Sequence, residues 1–296
     1  MNVREVNIIK PYKIKVKKTP EPKSSNQYLP PFYYNALFIG MTGSGKSYSF
    51  VSLLKLYEKY GIYDYLGNKM DMRIILISPT INSTANTVLS LLKIDEEDQI
   101  SNYTDDIFEE KINELIEEQE GLREWNKFVE AYKKFHKFND VEAMTDEELE
   151  LLDKYNGFDD EEKPKRKTEK IYFVIFDDML NSSAFGNKKK SKLNSLIVLC
   201  RHYHINIFIT AQHIKNIPPV IRSNVRVFVI FKSNNYKKLL ENVYSEVSGI
   251  ISQDKFEELY HYATQKLHDA LVVIVHNDME EKYRIRKNWT EYLEYK

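Results

Sequence analysis

Residues 40–47 have the types and spacing of a phosphate-binding loop. They read Gly-Met-Thr-Gly-Ser-Gly-Lys-Ser, which fits the pattern of Gly, four residues and Gly-Lys-Ser/Thr. Small residues let successive backbone N–H groups turn toward phosphate oxygens. Lys46 would reach the β- and γ-phosphates, and the Ser47 hydroxyl would hold Mg²⁺. The predicted nucleotide contacts are Gly40, Met41, Thr42, Gly43, Ser44, Gly45, Lys46, Ser47 and Tyr48.

The segments on either side of this loop are those that such a loop needs. Residues 35–39, Asn-Ala-Leu-Phe-Ile, are predicted to form a buried strand, and residues 48–60 a helix with an apolar face. The helix would point the positive end of its dipole at the phosphates. The alternative is a Gly-Ser turn that merely precedes a helix.

Two adjacent carboxylates follow a second β-forming run. Residues 171–176 are Ile-Tyr-Phe-Val-Ile-Phe, and Asp177 and Asp178 come directly after them. An unbroken apolar run is typical of a central parallel strand that is covered on both faces. Asp177 would complete the Mg²⁺ shell, and Asp178 would polarise the attacking water. The alternative is a strand that ends in a polar turn.

A third buried strand, residues 205–211, ends at Gln212. Open α/β sheets bind their ligands at the carboxyl ends of strands, so the Gln212 amide would orient water or sense the γ-phosphate. The alternative is a loop glutamine without a role in the site. With further strands predicted at 73–78 and 225–231, the fold class is α/β with a central, mostly parallel sheet.

The remaining predicted elements follow from apolar periodicity. Helices are expected at residues 191–202, 236–248 and 252–263. Strands at 270–275 and 282–286 would form a hairpin across Asn277-Asp278.

The charge of the chain is strongly asymmetric. Residues 95–162 hold 25 acidic and 7 basic residues, a net charge of −18, and the rest holds 19 and 36, a net charge of +17. Within the acidic part, helices are predicted at 105–137, with a bend or break at Gly121, and after a Thr145 cap. We interpret residues 95–165 as a helical insertion in an ATPase domain of residues 32–296, preceded by a basic arm and linker, residues 1–31.

The basic remainder would meet a polyanion, or it is solvated surface in a lysine-rich chain; the sequence leaves both open. Cys200 is the single cysteine, which excludes an internal disulfide and fits a reducing compartment. Residues 1–10 lack the apolar centre of a signal peptide, and no apolar run has membrane-spanning length. These features predict an intracellular, soluble globular protein.

The order of the motifs resembles the DNA-packaging ATPases of large DNA viruses, the poxvirus-type branch of the FtsK/HerA superfamily, with relatives in virophages. The segments that carry the resemblance are residues 36–47, 171–178 and 201–224. The resemblance implies a RecA-like sheet in which the strand before Gln212 lies near the strands of the phosphate loop and Asp177. It also implies ATP and Mg²⁺ as ligands.

The same resemblance implies a ring, expected to be a hexamer, that threads double-stranded DNA into a preformed capsid. ATP would bind between subunits, and an arginine of one subunit would complete the site of the next. Arg222 matches that arginine best, with Arg201 and Arg226 as further candidates. Residues 181–190, with three consecutive lysines, are the candidate DNA-contacting loop. The expected location is the host cytoplasm or the viral factory, with association with the virion.

Two other functions remain open from the sequence. One is a nucleotide-dependent switch or a kinase that uses the same loop on a small substrate. The other is a non-catalytic interaction protein whose acidic insertion docks a capsid or scaffold protein.

Overall fold

The computed structural model describes residues 21–81, 89–138, 140–159, 163–179, 183–185, 192–275 and 279–295. The strands are β1 (Lys23–Ser24), β2 (Asn35–Ile39), β3 (Ile62–Tyr63), β4 (Lys69–Ile77), β5 (Gln99–Ile100), β6 (Lys170–Phe176), β7 (Ile205–Ala211), β8 (Val225–Phe231), β9 (Ala270–Ile274), β10 (Ile285–Lys287) and β11 (Glu291–Tyr292). The helices are α1 (Lys46–Tyr60), α2 (Asp105–Phe138), α3 (Asp146–Lys154), α4 (Lys192–Leu199), α5 (Pro219–Arg222), α6 (Tyr236–Val247) and α7 (Gln253–Ala263).

One sheet joins these strands in the order β1-β3-β4-β6-β7-β2-β8-β9-β10-β11, with β5 paired to β4. The five central strands, β4, β6, β7, β2 and β8, are parallel to one another. Strands β9, β10 and β11 continue the sheet, each antiparallel to the strand before it. Strand β7 therefore lies between β2 and β6. The predicted α/β fold with a mostly parallel sheet is confirmed.

The apolar runs of the central strands are buried on both faces, as their composition predicts. Successive side chains of a strand point to opposite faces. Leu37 of β2 accordingly packs into the core on one face and Phe38 into the core on the other. The same split separates Val174 from Phe173 in β6. Because β2, β6 and β7 pair in parallel, their carboxyl ends lie at one edge of the sheet.

Several element boundaries differ from the predicted ones. Helix α1 begins at Lys46 rather than residue 48, because Gly45 is its N-cap. Strand β4 begins at Lys69, four residues earlier than predicted, because it pairs with β3 and β6 along its length. The strand predicted at 282–286 is wrong in its first half, where Glu281–Tyr283 form a 3-10 turn. The predicted turn at Asn277-Asp278 lies outside the described residues.

The described end of the predicted linker packs on the core. Strand β1 pairs antiparallel with β3, and Leu29 is buried. The Tyr57 hydroxyl donates a hydrogen bond to the Pro30 carbonyl at 2.7 Å. The Asn206 side-chain oxygen accepts the Tyr33 N–H at 2.6 Å, which ties the approach to β2 to the middle of the sheet. Residues 1–20, the rest of the predicted arm, lie outside the described residues.

The acidic insertion is helical, as predicted, but α2 runs without a break through Gly121. Its 34 residues span about 50 Å. The first half packs Phe108 and Leu115 against the sheet, whereas the second half forms a separate apolar cluster with α3. That second contact keeps the chain helical past Gly121. Thr145 caps α3 through a capping box with Glu148, as its position predicts.

The insertion is also held to the sheet by Arg73 of β4, whose side chain is 13% exposed. Its guanidinium binds both carboxylate oxygens of Asp98 at 2.8 Å and Glu118 of α2 at 2.8 Å. Partial burial raises the pKa of Glu118, but the hydrogen bonds from Lys170 and Arg73 outweigh it and lower that pKa. The pairs of Glu118 with Lys170 and Arg73 therefore stabilise the fold at neutral pH and weaken as the pH falls through the lowered pKa of Glu118.

Arg73→Met is expected to cost about 3 kcal/mol of unfolding free energy, because it removes the main partner of the buried Asp98 carboxylate and one of the partners of Glu118. Urea unfolding at pH 7 measures the loss. Lys55→Met breaks an exposed pair with Glu58 and is expected to cost less than about 1 kcal/mol. An equal cost for both variants would show that the Arg73 network does not anchor the insertion.

Among the helices of the described ranges, none combines the length and the apolar character needed to cross a membrane. Helix α2 has the length but carries charges throughout.

Candidate nucleotide-binding site

The predicted phosphate-binding loop turns tightly at the carboxyl edge of the sheet. The Gly40 N–H donates to the Ala211 carbonyl at 3.0 Å, so the loop leaves β2 beside the end of β7. A β-carbon on Gly40 would lie 2.8 Å from the β-carbon of Phe231, which only glycine avoids. Gly45 has φ +100°, a left-handed conformation that side chains other than glycine rarely adopt. Gly43 also has a positive φ, +77°, so a close side-chain contact explains Gly40, and backbone conformation explains Gly43 and Gly45.

Lys46 closes the loop over its own beginning. The Lys46 Nζ donates to the Gly40 carbonyl at 2.8 Å and to the Met41 carbonyl at 2.9 Å. Burial lowers the pKa of Lys46, while the nearby Asp177 and Asp178 oppose that shift. The Ser44 hydroxyl, which lies against Gly40, is buried and has no hydrogen-bond partner among the described residues. An ammonium group and an unpartnered hydroxyl at one turn fit an anionic ligand.

The first turn of α1 is held from the far side by the carboxyl-terminal segment. The Trp289 Nε1 donates a hydrogen bond to the Ser49 carbonyl at 2.8 Å. The Trp289 ring packs against Phe38 of β2. This contact fixes the helix start, and therefore the loop, relative to the sheet.

Ser47 and Asp177 face each other across the edge of the sheet. The Ser47 hydroxyl lies 3.2 Å from Asp177 Oδ2, and Asp177 is 6% exposed. Burial raises the pKa of Asp177, against the lowering effect of hydrogen bonds from Thr210 and Ser47. One hydroxyl and one carboxylate beside a phosphate loop are oxygen ligands of the kind that Mg²⁺ takes, so the residues present fit the predicted metal.

Asp178 and Gln212 complete the same edge. Asp178 has φ +56°, which turns its carboxylate out of the β6 direction. The Gln212 Nε2 lies 3.3 Å from the Thr42 hydroxyl of the loop and 3.5 Å from Asp178 Oδ1. The side chains predicted to bind metal, water and phosphate therefore meet, although they come from three segments of the chain.

Thr210 is a site residue that the sequence reasoning missed. Its hydroxyl donates to Asp177 Oδ1 at 2.8 Å and accepts the Asp178 N–H at 3.0 Å. It therefore ties both carboxylates of β6 to the strand that ends at Gln212. The available signal was a hydroxyl two residues before Gln212 within the otherwise apolar end of β7.

Thr210→Val removes both hydrogen bonds at nearly constant volume. The reaction to follow is ATP hydrolysis, which the sequence predicts. Because the Thr210 hydroxyl lowers the pKa of Asp177, its loss is expected to move the acid limb of the pH–rate profile to higher pH. The Mg²⁺ concentration for half-maximal ATP hydrolysis is expected to rise about tenfold. Thr210→Ser keeps the hydroxyl and should restore both values. If serine and valine behave alike, Thr210 only fills space.

The three candidate arginines lie at the opposite edge of the sheet. Arg222 ends α5 and precedes β8, and Arg226 is near the start of β8. The Asn35 amide donates to the Asn224 carbonyl at 3.1 Å, so this turn lies beside the first residue of β2. Strand β2 separates that edge from the phosphate loop by about 13 Å, and Arg201, before β7, is on the same far side. All three therefore lie far from the phosphate loop of this chain.

Of the other predicted site residues, Tyr48 points largely to solvent and is 63% exposed. Within the candidate DNA-contacting loop, the three lysines lie outside the described residues. A separate group of carboxylates, Glu97, Asp98 and Glu114, is close enough to hold a metal but is neutralised by Arg73 and Lys111. It belongs to the anchoring network of the insertion.

Comparison with known proteins gives matches to viral proteins and to solved ATPases. An uncharacterised protein, 075L, of Invertebrate iridescent virus 6 is 32% identical over 122 residues, which are 41% of this chain and 44% of that protein. The chain thus spans less than half the length of this curated relative.

Among solved structures, the DNA-packaging ATPase B204 of Sulfolobus Turreted Icosahedral Virus aligns with a TM-score of 0.46 and 14% identity, over 86% of this chain and 97% of B204. ATPases 2 and 3 of Thermomonospora curvata EccC align with a TM-score of 0.40 and 14% identity, over 88% of this chain and 37% of that chain.

The family assignment rests on a sequence model. The model of the Poxvirus A32 protein family matches residues 126–288, which are more than half of the chain. The matched part includes β6 with Asp177 and Asp178, β7 with Gln212, and the turn with Arg222. This chain belongs to the Poxvirus A32 protein family.

Proposed function

We propose that this protein is an ATPase that moves double-stranded DNA to package a viral genome. One observation carries the proposal: Lys46, Ser47, Asp177, Asp178 and Gln212 meet at one edge of a parallel sheet. Membership in the Poxvirus A32 protein family supports the viral packaging role.

The loop and its lysine would bind the triphosphate. Backbone N–H groups of residues 40–47 bind phosphate oxygens, and Lys46 exchanges its two carbonyl contacts for the β- and γ-phosphates. Ser47 and Asp177 would hold Mg²⁺, which supplies positive charge to the phosphate oxygens. Thr210 keeps the Asp177 carboxylate in that orientation.

Asp178 and Gln212 would act on the attacking water. The Asp178 carboxylate accepts a hydrogen bond from that water, orients it and takes its proton as the water oxygen bonds to the γ-phosphorus. The bond from that phosphorus to the β–γ bridging oxygen breaks, so that ADP leaves as the leaving group and phosphate is the second product. Gln212 lies within reach of both Asp178 and Thr42 of the loop, so it can respond to the presence of the terminal phosphate. Loss of that phosphate would be transmitted along β7, which lies between β2 and β6.

A ring, with six subunits as the expected number, would bring Arg222 to the phosphates of a neighbour. Arg222 lies at the far edge of its own sheet. Its Nε is buried and has no hydrogen-bond partner in the described part of the chain. Both observations support a role in trans. Arg222→Ala is expected to lower hydrolysis at least about 30-fold, and Lys46→Ala at least about 100-fold. Mixing the two variants should restore part of the activity, since some sites then combine an intact loop with an intact arginine.

No recovery on mixing, over a range of ratios and with subunit exchange demonstrated, would argue against Arg222 acting in trans. Arg201→Ala and Arg226→Ala in the same mixing assay test the remaining candidates.

Duplex DNA is the proposed substrate of movement, supported by the net charge of +17 outside the acidic block. The test is ATP hydrolysis by the full chain with and without duplex DNA at several salt concentrations. Stimulation by DNA that falls steeply with salt, and is absent in Lys46→Ala, is expected. Hydrolysis unaffected by DNA at every salt concentration contradicts a DNA motor. A phosphorylated small molecule as product would favour the kinase alternative.

The distal part of the acidic insertion is the proposed contact for a capsid or scaffold protein. The second half of α2 and α3 enclose their own apolar cluster, which includes Phe128 and Leu152, separate from the cores of the sheet. Replacing residues 122–162 by a short linker is expected to keep DNA-stimulated hydrolysis and abolish packaging into capsids. Lost hydrolysis would instead tie this part of the insertion to the motor.

A further inference from the structure

The strand order gives the nucleotide site two different flanks. On one flank of β2 are β7 and β6, with Gln212 and Asp178 at their carboxyl ends. On the other are β8 and β9. Because β9 runs antiparallel to β8, the connection from α7 to β9, residues 264–269, lies at the same edge as the phosphate loop.

These flanks suit opposite ends of a nucleoside triphosphate. The carboxylates and the amide surround the position of the terminal phosphate, its metal and its water, as the proposed mechanism requires. The sugar and base are at the other end of the triphosphate chain. They must therefore leave the phosphate loop away from Asp178, on the flank of residues 264–269.

His268 of that connection is close enough to meet them. A β-carbon placed on Gly45 would lie 3.2 Å from the β-carbon of His268 and 3.4 Å from its Nδ1. His268 is exposed, and its neighbour Leu267 is 73% exposed. An imidazole ring and an apolar side chain at the mouth of a phosphate site offer the flat face of a base a stacking partner.

The connection is held in place from both ends. The Asp269 carboxylate accepts a hydrogen bond from Asn288 at 3.0 Å and pairs with Lys287 at 3.0 Å. Burial works against ionisation, but these contacts lower the pKa of Asp269, so the anchor is charged. At the other end, the Thr264 hydroxyl donates to the Tyr260 carbonyl at 2.8 Å. His268 is thus presented to the loop by fixed neighbours.

We propose that residues 264–269 form the nucleoside subsite, in which His268 and Leu267 contact the sugar and base of the nucleotide held by the phosphate loop. The inference rests on the proposed nucleotide binding at that loop and adds the element that distinguishes a nucleotide from a bare polyphosphate. It does not depend on DNA movement or on hydrolysis.

The test compares two ligands that share the triphosphate and differ in the nucleoside. Isothermal titration of the full chain with ATPγS and with inorganic tripolyphosphate, both with Mg²⁺, gives the two dissociation constants. His268→Gly is the main variant, because His268 has φ +70°, a conformation that glycine adopts without strain. Leu267→Ala is a second variant at an exposed position that leaves the core intact. His202→Ala, an exposed histidine at the far edge of the sheet, is the matched control.

His268→Gly is expected to raise the dissociation constant of ATPγS about tenfold and to leave that of tripolyphosphate within about twofold. Leu267→Ala should act in the same direction with about a threefold loss, and His202→Ala should change neither ligand. Equal losses for both ligands, or no loss for ATPγS in either variant, overturn the proposal. Failure of the nucleotide site itself is distinguishable, because wild-type protein would then bind neither ligand and Lys46→Ala would change nothing.

Discussion

Lys46→Ala is expected to lower kcat for ATP hydrolysis by at least about 100-fold, the scale of removing one charge-stabilising group from a transition state. The Lys46 Nζ donates to the Gly40 and Met41 carbonyls of the loop, and in the proposed mechanism it exchanges these contacts for the β- and γ-phosphates, where charge develops. Nucleotide affinity should fall as well, because the lysine contacts the ground-state phosphates too. Steady-state hydrolysis and titration with ATPγS measure the two effects separately.

Folding should not obscure this result. Lys46 is the first residue of α1, and alanine is the strongest helix former, so the helix start is retained. Lys55→Ala, at a half-exposed lysine of the same helix, is the matched control and should leave kcat within about twofold. If Lys46→Ala keeps a tenth or more of the activity with an unchanged melting temperature, the loop is not the catalytic site.

Asp178→Asn is expected to lower kcat about 100- to 1,000-fold while nucleotide binding survives, because an amide cannot take the proton of the attacking water. The backbone should tolerate the change: Asp178 has φ +56°, and asparagine is one of the residues that adopt this conformation. The Asp178 N–H can still donate to Thr210. Single-turnover hydrolysis with enzyme in excess separates the chemical step from release of product.

Asp71→Asn, at an exposed carboxylate of β4 in the same sheet, controls for loss of a negative charge. It should leave hydrolysis and ATPγS binding at the wild-type values. A near-normal kcat for Asp178→Asn would show that another group acts as the base and that Asp178 only contacts Gln212. Loss of ATPγS binding together with kcat would indicate that Asp178 positions the nucleotide.

The packaging-ATPase resemblance was carried by motif order, and the family match confirms it. Patterns of neighbouring residues were sufficient to predict the phosphate loop and the central strands. A phosphate loop is a continuous peptide whose glycines and lysine act within eight residues, and each central strand is a continuous apolar run. The bounds of β2, β7 and β8 agree with those predicted from these runs alone. The roles of individual site residues remain predictions that the experiments above address.

Boundaries at the rim of the sheet were harder to predict. Strand β4 extends back to Lys69, where β3 and β6 supply hydrogen bonds to residues that precede the continuous apolar run at 74–77. Helix α2 continues through Gly121 because α3 packs on its second half, which outweighs the cost of about 1 kcal/mol of a glycine in a helix. At Gly121, a contact distant in sequence overrides the local helix propensity.

By itself, the sequence determined the chemistry available to this protein: a phosphate loop, a carboxylate pair, an amide, and the strands and helix that carry them. The tertiary structure alone decided which of these groups meet. It placed β7 between β2 and β6, so that Thr210 joins both carboxylates, and it put Arg222 at the far edge and His268 beside Gly45. The reason is that motifs are encoded by neighbouring residues, whereas strand order depends on hydrogen bonds and burial between segments far apart along the chain.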